Sequence, residues 1–307
     1  MINFYTLKRA IFGSLNKFGG NITIKNCLSY MKIILQLKSA VLWGFCLFSF
    51  SACMQHFKFS DEAISQYYQN KDYLPSFAFS DTLNHKIHYA YSKDSSKPLL
   101  MLIHGAPGAW FGYKEFFKDS LLLKKYQIVA PDRAGYNKSY VGETSIALQA
   151  NLLRPLISRF ERRVVVLGRS YGAPIAAKLA MDNPDLVDEL ILVAPACDPQ
   201  KEKFWWFSKP VNSKFARFFL PSYANRASDE KFTHRRELEK ILQDWRKIKC
   251  PVTILQGGKD WIIEPTNGAF VDSVLNAPRR FIFLPENGHL ITSERYELIR
   301  DILLELN

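Results

Sequence analysis

A Gly-x-Ser-x-Gly pentapeptide, residues 168–172, lies between an apolar β-branched run and an alanine-rich segment. The run 164–167 has the composition of a strand that is buried on both faces, and residues 171–181 have the composition of a helix. Such a strand-to-helix turn holds its central serine in a strained conformation with the hydroxyl exposed, and the two glycines remove side chains that would collide there. The pattern therefore predicts a strand, a sharp turn and a helix, with Ser170 as a candidate nucleophile.

Short apolar runs separated by helix-length segments continue on both sides of this turn. The alternation is typical of a largely parallel sheet covered by helices, and a hairpin around Asn84-His85 adds an antiparallel start. We therefore predict an α/β fold with a mostly parallel eight-stranded sheet flanked by helices, the first of them kinked at Pro155. The expected strands are residues 77–83, 86–91, 99–104, 127–130, 164–168, 190–194, 252–256 and 281–284. The expected helices are residues 145–160, 171–183, 268–276 and 293–305.

The charge balance argues against a nucleic-acid partner. The 307 residues are 48% apolar, which is enough for a large core, and carry a formal charge of +12. Residues 1–53 hold six Lys/Arg and no Asp/Glu, so the remainder has 35 basic and 29 acidic residues, a net charge of only +6. Because no helix-turn-helix, zinc-finger or RNA-binding pattern accompanies this modest excess, we expect no nucleic-acid binding.

The N-terminal region has the layout of a secretory signal. A basic stretch begins at Met31, the apolar run 39–52 follows, and small residues precede Cys53. The run is 14 residues long, shorter than the roughly 20 residues of a spanning helix. Residues 50–53 resemble the lipobox of bacterial lipoproteins, which would make Cys53 the lipidated first residue of a protein anchored to a membrane of the cell envelope. An uncleaved signal anchor and a non-lipoprotein signal remain open.

These features divide the chain into four expected parts. Residues 1–30 fit neither a signal nor a domain and are interpreted as a spurious extension, with translation starting at Met31 rather than Met1. A signal peptide, 31–52, and a tether, 53–75, would precede an α/β domain, 76–307. Within that domain, residues 196–250 form an insertion after the sixth expected strand.

Two cysteines, Cys197 and Cys250, stand at the ends of the insertion. They could form a disulfide in an oxidising compartment, but two buried thiols are the preferred interpretation, since nothing in the sequence brings them within reach. No CxxC or histidine-rich spacing indicates a metal site, and no cofactor is expected.

Ser170 requires a base and a carboxylate. A serine hydroxyl becomes nucleophilic when a histidine takes its proton and a carboxylate orients that histidine. Asp260 follows the seventh expected strand and His289 the eighth, so both lie at the carboxyl edge of the sheet, where open α/β sheets bind ligands. These two are the predicted acid and base, with Glu264 and Asp198 as alternative carboxylates.

The loops that carry Ser170, Asp260 and His289, and the motif His-Gly-Ala-Pro-Gly at 104–108, all follow expected strands in register. On these motifs, residues 75–305 resemble the α/β-hydrolase fold family. The resemblance implies that the backbone N–H groups of Ala106 and Tyr171 form the oxyanion hole. His104 is expected to brace this loop, and Asp132, in a loop similar to the family's Asp-Arg-x-Gly motif, to hold a turn.

Two further positions bear on the chemistry that this resemblance implies. Arg169 stands where the family most often has histidine, but that position usually points away from substrate, so we expect activity to be kept. Epoxide hydrolases and haloalkane dehalogenases resemble the 104–108 loop but use an aspartate nucleophile. Ser170 therefore favours acyl transfer to water.

The insertion corresponds to the family's lid, which shapes the acyl pocket. Trp205, Trp206 and Phe207 are the predicted substrate-binding residues, although they could instead anchor the lid to the core. Residues 201–249 contain 13 Lys/Arg and 6 Asp/Glu, which we interpret as a solvated helix face, with attraction to anionic headgroups as the alternative. The residues expected to point outward are Lys231, Arg235, Arg236 and Lys240.

The predicted function is that of a serine hydrolase that cleaves carboxylic esters through an acyl-serine intermediate. An amidase or peptidase with the same triad, or a non-catalytic binding lipoprotein on the same fold, are the alternatives. The expected partners are a small acyl substrate and, through the lipid anchor, a membrane. The sequence does not indicate an oligomeric state.

Overall fold

The computed structural model describes residues 61–69, 73–158, 162–206 and 208–306. The predicted extension, the signal peptide and Cys53 lie outside the described residues, as does Phe207. Eight strands form one sheet. They are β1 (Ser76–Thr82), β2 (His85–Tyr91), β3 (Leu99–Ile103), β4 (Gln127–Pro131), β5 (Val164–Arg169), β6 (Glu189–Val193), β7 (Val252–Gly257) and β8 (Arg279–Leu284).

The order of the strands is β1-β2-β4-β3-β5-β6-β7-β8. Strand β2 pairs antiparallel with both β1 and β4, and the five remaining pairs are parallel. Every residue of β3, β4 and β7 is buried, as continuous apolar runs between two helical layers require. The predicted α/β class and mixed eight-stranded sheet are therefore confirmed.

Ten α-helices lie in the described part of the chain. They are α1 (Asp61–Tyr67), α2 (Ser120–Lys125), α3 (Ile146–Ile157), α4 (Gly172–Asp182), α5 (Ser208–Val211), α6 (Lys214–Phe219), α7 (Ser222–Ile241), α8 (Thr266–Val274), α9 (Ile291–Glu294) and α10 (Tyr296–Glu305). Two hydrophobic cores, one on each face of the sheet, are built from these elements. All of them belong to one compact unit, Phe57–Asn307, so we expect this fragment to fold by itself. None of the described helices combines the length and apolar character that crossing a membrane requires.

Two local expectations are wrong by small amounts. The hairpin turns at Leu83-Asn84, one residue earlier than expected, because both residues have positive φ (51° and 62°) and Thr82 pairs with His85. A two-residue hairpin of this kind needs positive φ at both central positions, which asparagine tolerates well. The expected last helix, 293–305, is divided at Arg295 into α9 and α10.

The prediction of a tether over residues 53–75 is wrong for the part that forms helix α1. Ile64 and Tyr68, four residues apart, are buried in the second core, and the Tyr68 hydroxyl donates to the carbonyl of Lys114 (3.1 Å). Lys138 also forms an ion pair with Asp61 at 2.7 Å. The segment therefore packs as part of the domain rather than serving as a tether.

The insertion between β6 and β7 is helical, containing α5, α6, α7 and a 3₁₀ helix, Leu242–Lys247. Cys197 and Cys250, at its ends, are both buried free thiols, as preferred from the sequence. Burial raises the pKa of each, to about 12 for Cys250, so both stay protonated near neutral pH.

Candidate active site

The turn between β5 and α4 has the strained geometry predicted from the pentapeptide. Ser170 has φ of +53°, a left-handed conformation that costs a non-glycine residue energy. A Cβ at Gly168 would lie 2.6 Å from that of Ala176, and one at Gly172 would lie 2.4 Å from the carbonyl oxygen of Ile103. Both glycines are therefore needed for the close approach of helix, sheet and neighbouring loop.

Ser170, His289 and Asp260 come from three separate loops and meet at the carboxyl edge of the sheet. The Oγ of Ser170 lies 3.0 Å from Nε2 of His289, and Nδ1 of His289 lies 2.7 Å from Oδ2 of Asp260. Because a carboxylate only accepts, Nδ1 carries the hydrogen and Nε2 is free to accept the serine proton. All three residues are buried.

Asp260 is held in place by its own loop. Its second oxygen, Oδ1, accepts hydrogen bonds from the backbone N–H groups of Ile262 (3.0 Å) and Ile263 (2.9 Å). The alternative carboxylates are engaged elsewhere: Glu264 pairs with Lys203, and Asp198 accepts from the backbone N–H of Gln200. Of the three candidates, the described contacts join only Asp260 to His289.

The loop after β3 lies directly against the serine. A Cβ at Gly105 would be 3.0 Å from Cβ of Ser170 and 3.5 Å from its Oγ. The backbone N–H groups of Ala106 and Tyr171 have no hydrogen-bond acceptor among the described residues. Two unused donors beside a nucleophile are suited to an oxygen that gains negative charge.

His104 and Arg133 fix this loop from behind. His104 donates from Nδ1 to the carbonyl of Gly105 (2.7 Å) and accepts at Nε2 from the backbone N–H of Arg133 (3.0 Å). Burial, and then the positive charge of Arg133, hold the pKa of His104 well below its ordinary value. His104 therefore stays neutral, with the hydrogen on Nδ1, as the bracing role predicted from the sequence requires.

The Arg133 guanidinium connects the loop to the lid. It donates to the carbonyl oxygens of His104 (2.8 Å) and Gly105 (3.0 Å), and it pairs through both of its terminal nitrogens with Glu230 of helix α7 (2.6 and 3.1 Å). Gln149 accepts a further bond from Arg133 (2.7 Å), and the Tyr136 hydroxyl donates to Glu230 (2.6 Å). This network holds the lid helix and the serine-facing loop to one charged group.

Burial, and then the charge of Glu230, raise the pKa of Tyr136 well above its ordinary value, so its hydroxyl remains a donor. The loop that contains Arg133 is recognisable in the sequence, but the roles of Arg133 and Glu230 are not predicted from it. The two partners are 97 residues apart, and one acidic residue on a highly charged helix carries no signal of its burial.

The expected role of Asp132 in holding a turn is met, and Arg169 is engaged by a later helix. The carboxylate of Asp132 accepts from the backbone N–H of Trp110 (2.8 Å) and pairs with His88 (2.6 Å), so it connects its turn to the neighbouring segments. The side chain of Arg169 donates to Thr292 at 2.9 Å, so its guanidinium is held by helix α9.

Trp205 and Trp206, the two described lid residues predicted to bind substrate, lie at the surface. Trp206 is 85% exposed, and Trp205 is 39% exposed with its ring 5.7 Å from that of Trp261. They do not form a buried anchor to the core, and their contribution to a pocket stays a prediction.

Of the four basic residues of α7 expected to point outward, one does not. Arg235, Arg236 and Lys240 are exposed, whereas Lys231 is turned toward Glu202 and forms an ion pair with it. Glu202 also accepts from His234 at 2.6 Å. Burial alone would raise the pKa of Glu202, but the bonds from these two partners outweigh it and lower that pKa.

Comparisons with known proteins identify the family. Residues 100–302 match the model of the alpha/beta hydrolase family. The AB hydrolase superfamily protein YfhM of Bacillus subtilis (strain 168) is 32% identical over 120 residues, which cover 38% of this chain and 42% of YfhM. Epoxide hydrolase 1 of Caenorhabditis elegans is 31% identical over 111 residues, 34% of this chain and 27% of that protein. The chain thus spans less than half the length of these curated relatives.

Among solved structures, a hydrolase from Pseudomonas aeruginosa PA01 superposes with a TM-score of 0.59 at 17% identity. The superposition covers 75% of this chain and 97% of that one, which shows a shared fold.

Proposed function

The chain belongs to the alpha/beta hydrolase family, and we propose that it is a serine hydrolase that cleaves carboxylic esters through an acyl intermediate on Ser170. The relay of Asp260, His289 and Ser170, with distances of 2.7 and 3.0 Å, is the observation that carries this proposal. The relation to an epoxide hydrolase does not extend to the nucleophile, since that chemistry uses aspartate in the family and this chain has serine.

In the proposed reaction, Oγ of Ser170 attacks the ester carbonyl carbon while Nε2 of His289 takes the hydroxyl proton. Asp260 stabilises the imidazolium that forms. The N–H groups of Ala106 and Tyr171 stabilise the negative carbonyl oxygen, which then re-forms the carbonyl as the alcohol leaves with the proton from His289. Water, activated by His289, attacks the acyl-serine, and the acid departs as Oγ regains its proton.

Covalent labelling by a fluorophosphonate tests the nucleophile directly. With residues 57–307, we expect fast labelling of wild type, none of Ser170→Ala, and a rate lowered by about a thousandfold or more in His289→Ala. Ser293→Ala is the matched control, since Ser293 is an exposed serine close to His289 in sequence, and it should label like wild type. Folded wild-type protein that resists the probe would contradict the proposal and favour a binding role.

Preference for esters over amides is measured on the same fragment. We expect hydrolysis of p-nitrophenyl acyl esters, with kcat lowered by about 10⁴ in Asp260→Asn because the histidine then loses its orienting acceptor. Higher kcat/KM for peptide amides than for esters would instead assign the triad to an amidase or peptidase.

We also propose that a lipid on Cys53 anchors the protein in the bacterial cell envelope, on the basis of residues 31–53 alone. Mass spectrometry of the N-terminal peptide from the full chain should show an acylated Cys53 in wild type and no modification in Cys53→Ser. An unmodified peptide that contains residues before Met31 would contradict both the anchor and the expected start.

A further inference from the structure

The first half of the lid is cationic and aromatic. Residues 203–228 contain five Lys/Arg and no Asp/Glu. Its large aromatic side chains face solvent, with Phe215 74%, Phe218 84% and Trp206 85% exposed. We call this surface the lid rim and define it by Phe204, Trp205, Trp206, Lys209, Lys214, Phe215, Phe218 and Phe219.

The three phenylalanine rings of α6 pack on one another. The ring of Phe219 lies 5.3 Å from that of Phe215 and 5.1 Å from that of Phe218, and helix α6 has no buried residue. Soluble proteins rarely expose so large an apolar cluster unless it meets another molecule. The arrangement therefore indicates an interaction surface.

Two lysines of the rim have unneutralised charges. Lys209 and Lys214 are exposed, and neither has a carboxylate partner within the described part of the chain. By contrast, Arg217, between the phenylalanines in sequence, pairs with Asp229 at 2.6 Å. Aromatic rings flanked by unpaired lysines match the boundary between lipid headgroups and acyl chains, where amphipathic side chains bind.

The rim adjoins the candidate active site. Trp205 contacts the ring of Trp261, which is largely exposed and directly follows Asp260 in the chain. A flat partner that covers the rim would thus lie beside the loop that carries the catalytic carboxylate.

We propose that the lid rim docks on the surface of an anionic lipid bilayer, with its aromatic rings in the headgroup region and Lys209 and Lys214 on headgroup phosphates. A second copy of the chain fits less well, because a symmetric contact between two such surfaces would oppose lysine to lysine with no acidic residue in 203–228 to separate them. The docking depends neither on the lipid at Cys53 nor on the chemistry of Ser170.

Binding of residues 57–307 to vesicles tests the proposal without the anchor. The vesicles are phosphatidylcholine alone or with 30 mol% phosphatidylglycerol, and binding is followed by co-sedimentation and tryptophan fluorescence. The fragment has five tryptophans, of which Trp110 and Trp245 are buried, so a blue shift with anionic vesicles reports on Trp205, Trp206 and Trp261. We expect binding to the anionic vesicles that weakens with added salt.

Each pair of variants has a control pair at exposed positions outside the rim. Phe215→Ser/Phe218→Ser should lower the partition coefficient by about tenfold or more, whereas Leu83→Ser/Leu121→Ser, two exposed leucines outside the rim, should not change it. Lys209→Gln/Lys214→Gln should lower it by about fivefold for each lysine. Lys93→Gln/Lys124→Gln, with the same loss of charge at exposed positions elsewhere, should have at most a small effect.

Circular dichroism without lipid shows that each variant is folded, and Ser170→Ala should bind vesicles like wild type, so this test is separate from that of the hydrolase. Equal binding by the rim variants and their controls would overturn the proposal, as would no binding by wild type. Sedimentation showing a dimer that Phe215→Ser/Phe218→Ser dissociates, without vesicle binding, would assign the rim to a second copy.

Discussion

Helix α7 buries charged residues, whereas helix α6, which precedes it in the same lid, exposes aromatic ones. The buried set of α7 includes Glu230, His234 and Glu237 beside Leu238. Helix α6 buries nothing and presents three phenylalanines to solvent. The lid is thus held to the domain by hydrogen-bonded charge together with apolar residues at the end of α7, while the aromatic side chains of α6 are left exposed.

The two halves of the lid differ in composition, since α6 is aromatic and α7 is highly charged, and they also differ in what they bury. A buried ion pair costs desolvation and is a poor source of stability compared with apolar packing, but it fixes geometry. Glu230 binds the Arg133 guanidinium, which in turn donates to the carbonyl oxygens of His104 and Gly105 in the 104–108 loop. The inner half of the lid, which contains α7, therefore positions the 104–108 loop. The outer half, which contains α6 and the lid rim, is suited to binding a partner.

The largest effect should come from removing the buried charge on the inner half. Glu230→Gln leaves the Arg133 cation buried without its counter-charge and should lower the free energy of unfolding by about 3 kcal/mol or more. Glu239→Gln, which removes an exposed i,i+4 partner of Arg235 on the same helix, should change it by about 0.5 kcal/mol or less. Urea unfolding of residues 57–307 measures both. Similar losses in the two variants would mean that the Arg133 contact does not hold the lid.

Truncation of an apolar side chain should also lower the free energy of unfolding more in the inner half of the lid than in the outer half. Leu238→Ala removes a core side chain and should cost about 3 kcal/mol, whereas Phe218→Ala should change stability by about 0.5 kcal/mol or less. Thermal and urea unfolding in the absence of lipid provide the comparison. A large loss in Phe218→Ala would show that the phenylalanine cluster is part of the folded core.

A smaller effect should appear in the pH dependence of stability. Since the pKa of His104 is low in the folded protein and near 6.5 when unfolded, only the unfolded chain takes up this proton as the pH falls below about 6.5. Stability contributed by neutral His104 is therefore complete above that pH and is lost in acid, by about 1.4 kcal/mol between pH 7.5 and 5.5. The glutamine of His104→Gln has a donor and an acceptor for the two hydrogen bonds but does not titrate. Urea unfolding at pH 7.5 and 5.5 should therefore show a loss of stability that is smaller than in wild type by about 1.4 kcal/mol. Identical pH profiles would contradict a neutral, buried His104.

The sequence predicts the parts of the molecule that depend on local pattern. The positive φ of Ser170 follows from the two flanking glycines, and the positions of Asp260 and His289 follow from the strand ends. Contacts between distant segments had no such signal. Ile64 and Tyr68 are two apolar residues in a polar stretch, and their burial depends on a surface built by the rest of the domain. Glu230 resembles its exposed neighbours on α7 until Arg133 is placed opposite it.

Every N–H donor of the Arg133 guanidinium is hydrogen-bonded, and this limits which part of the lid can open. Its five N–H groups make five hydrogen bonds, two of them to Glu230, so movement of α7 would leave two donors of a buried cation without their acceptors. Displacing α7 would strand a cation in the interior, whereas the ion pair that joins α6 to α7, between Arg217 and Asp229, is partly exposed to solvent. Any gating motion should therefore hinge before Ser222, with amide exchange fast in residues 208–219 and slow in the middle of α7.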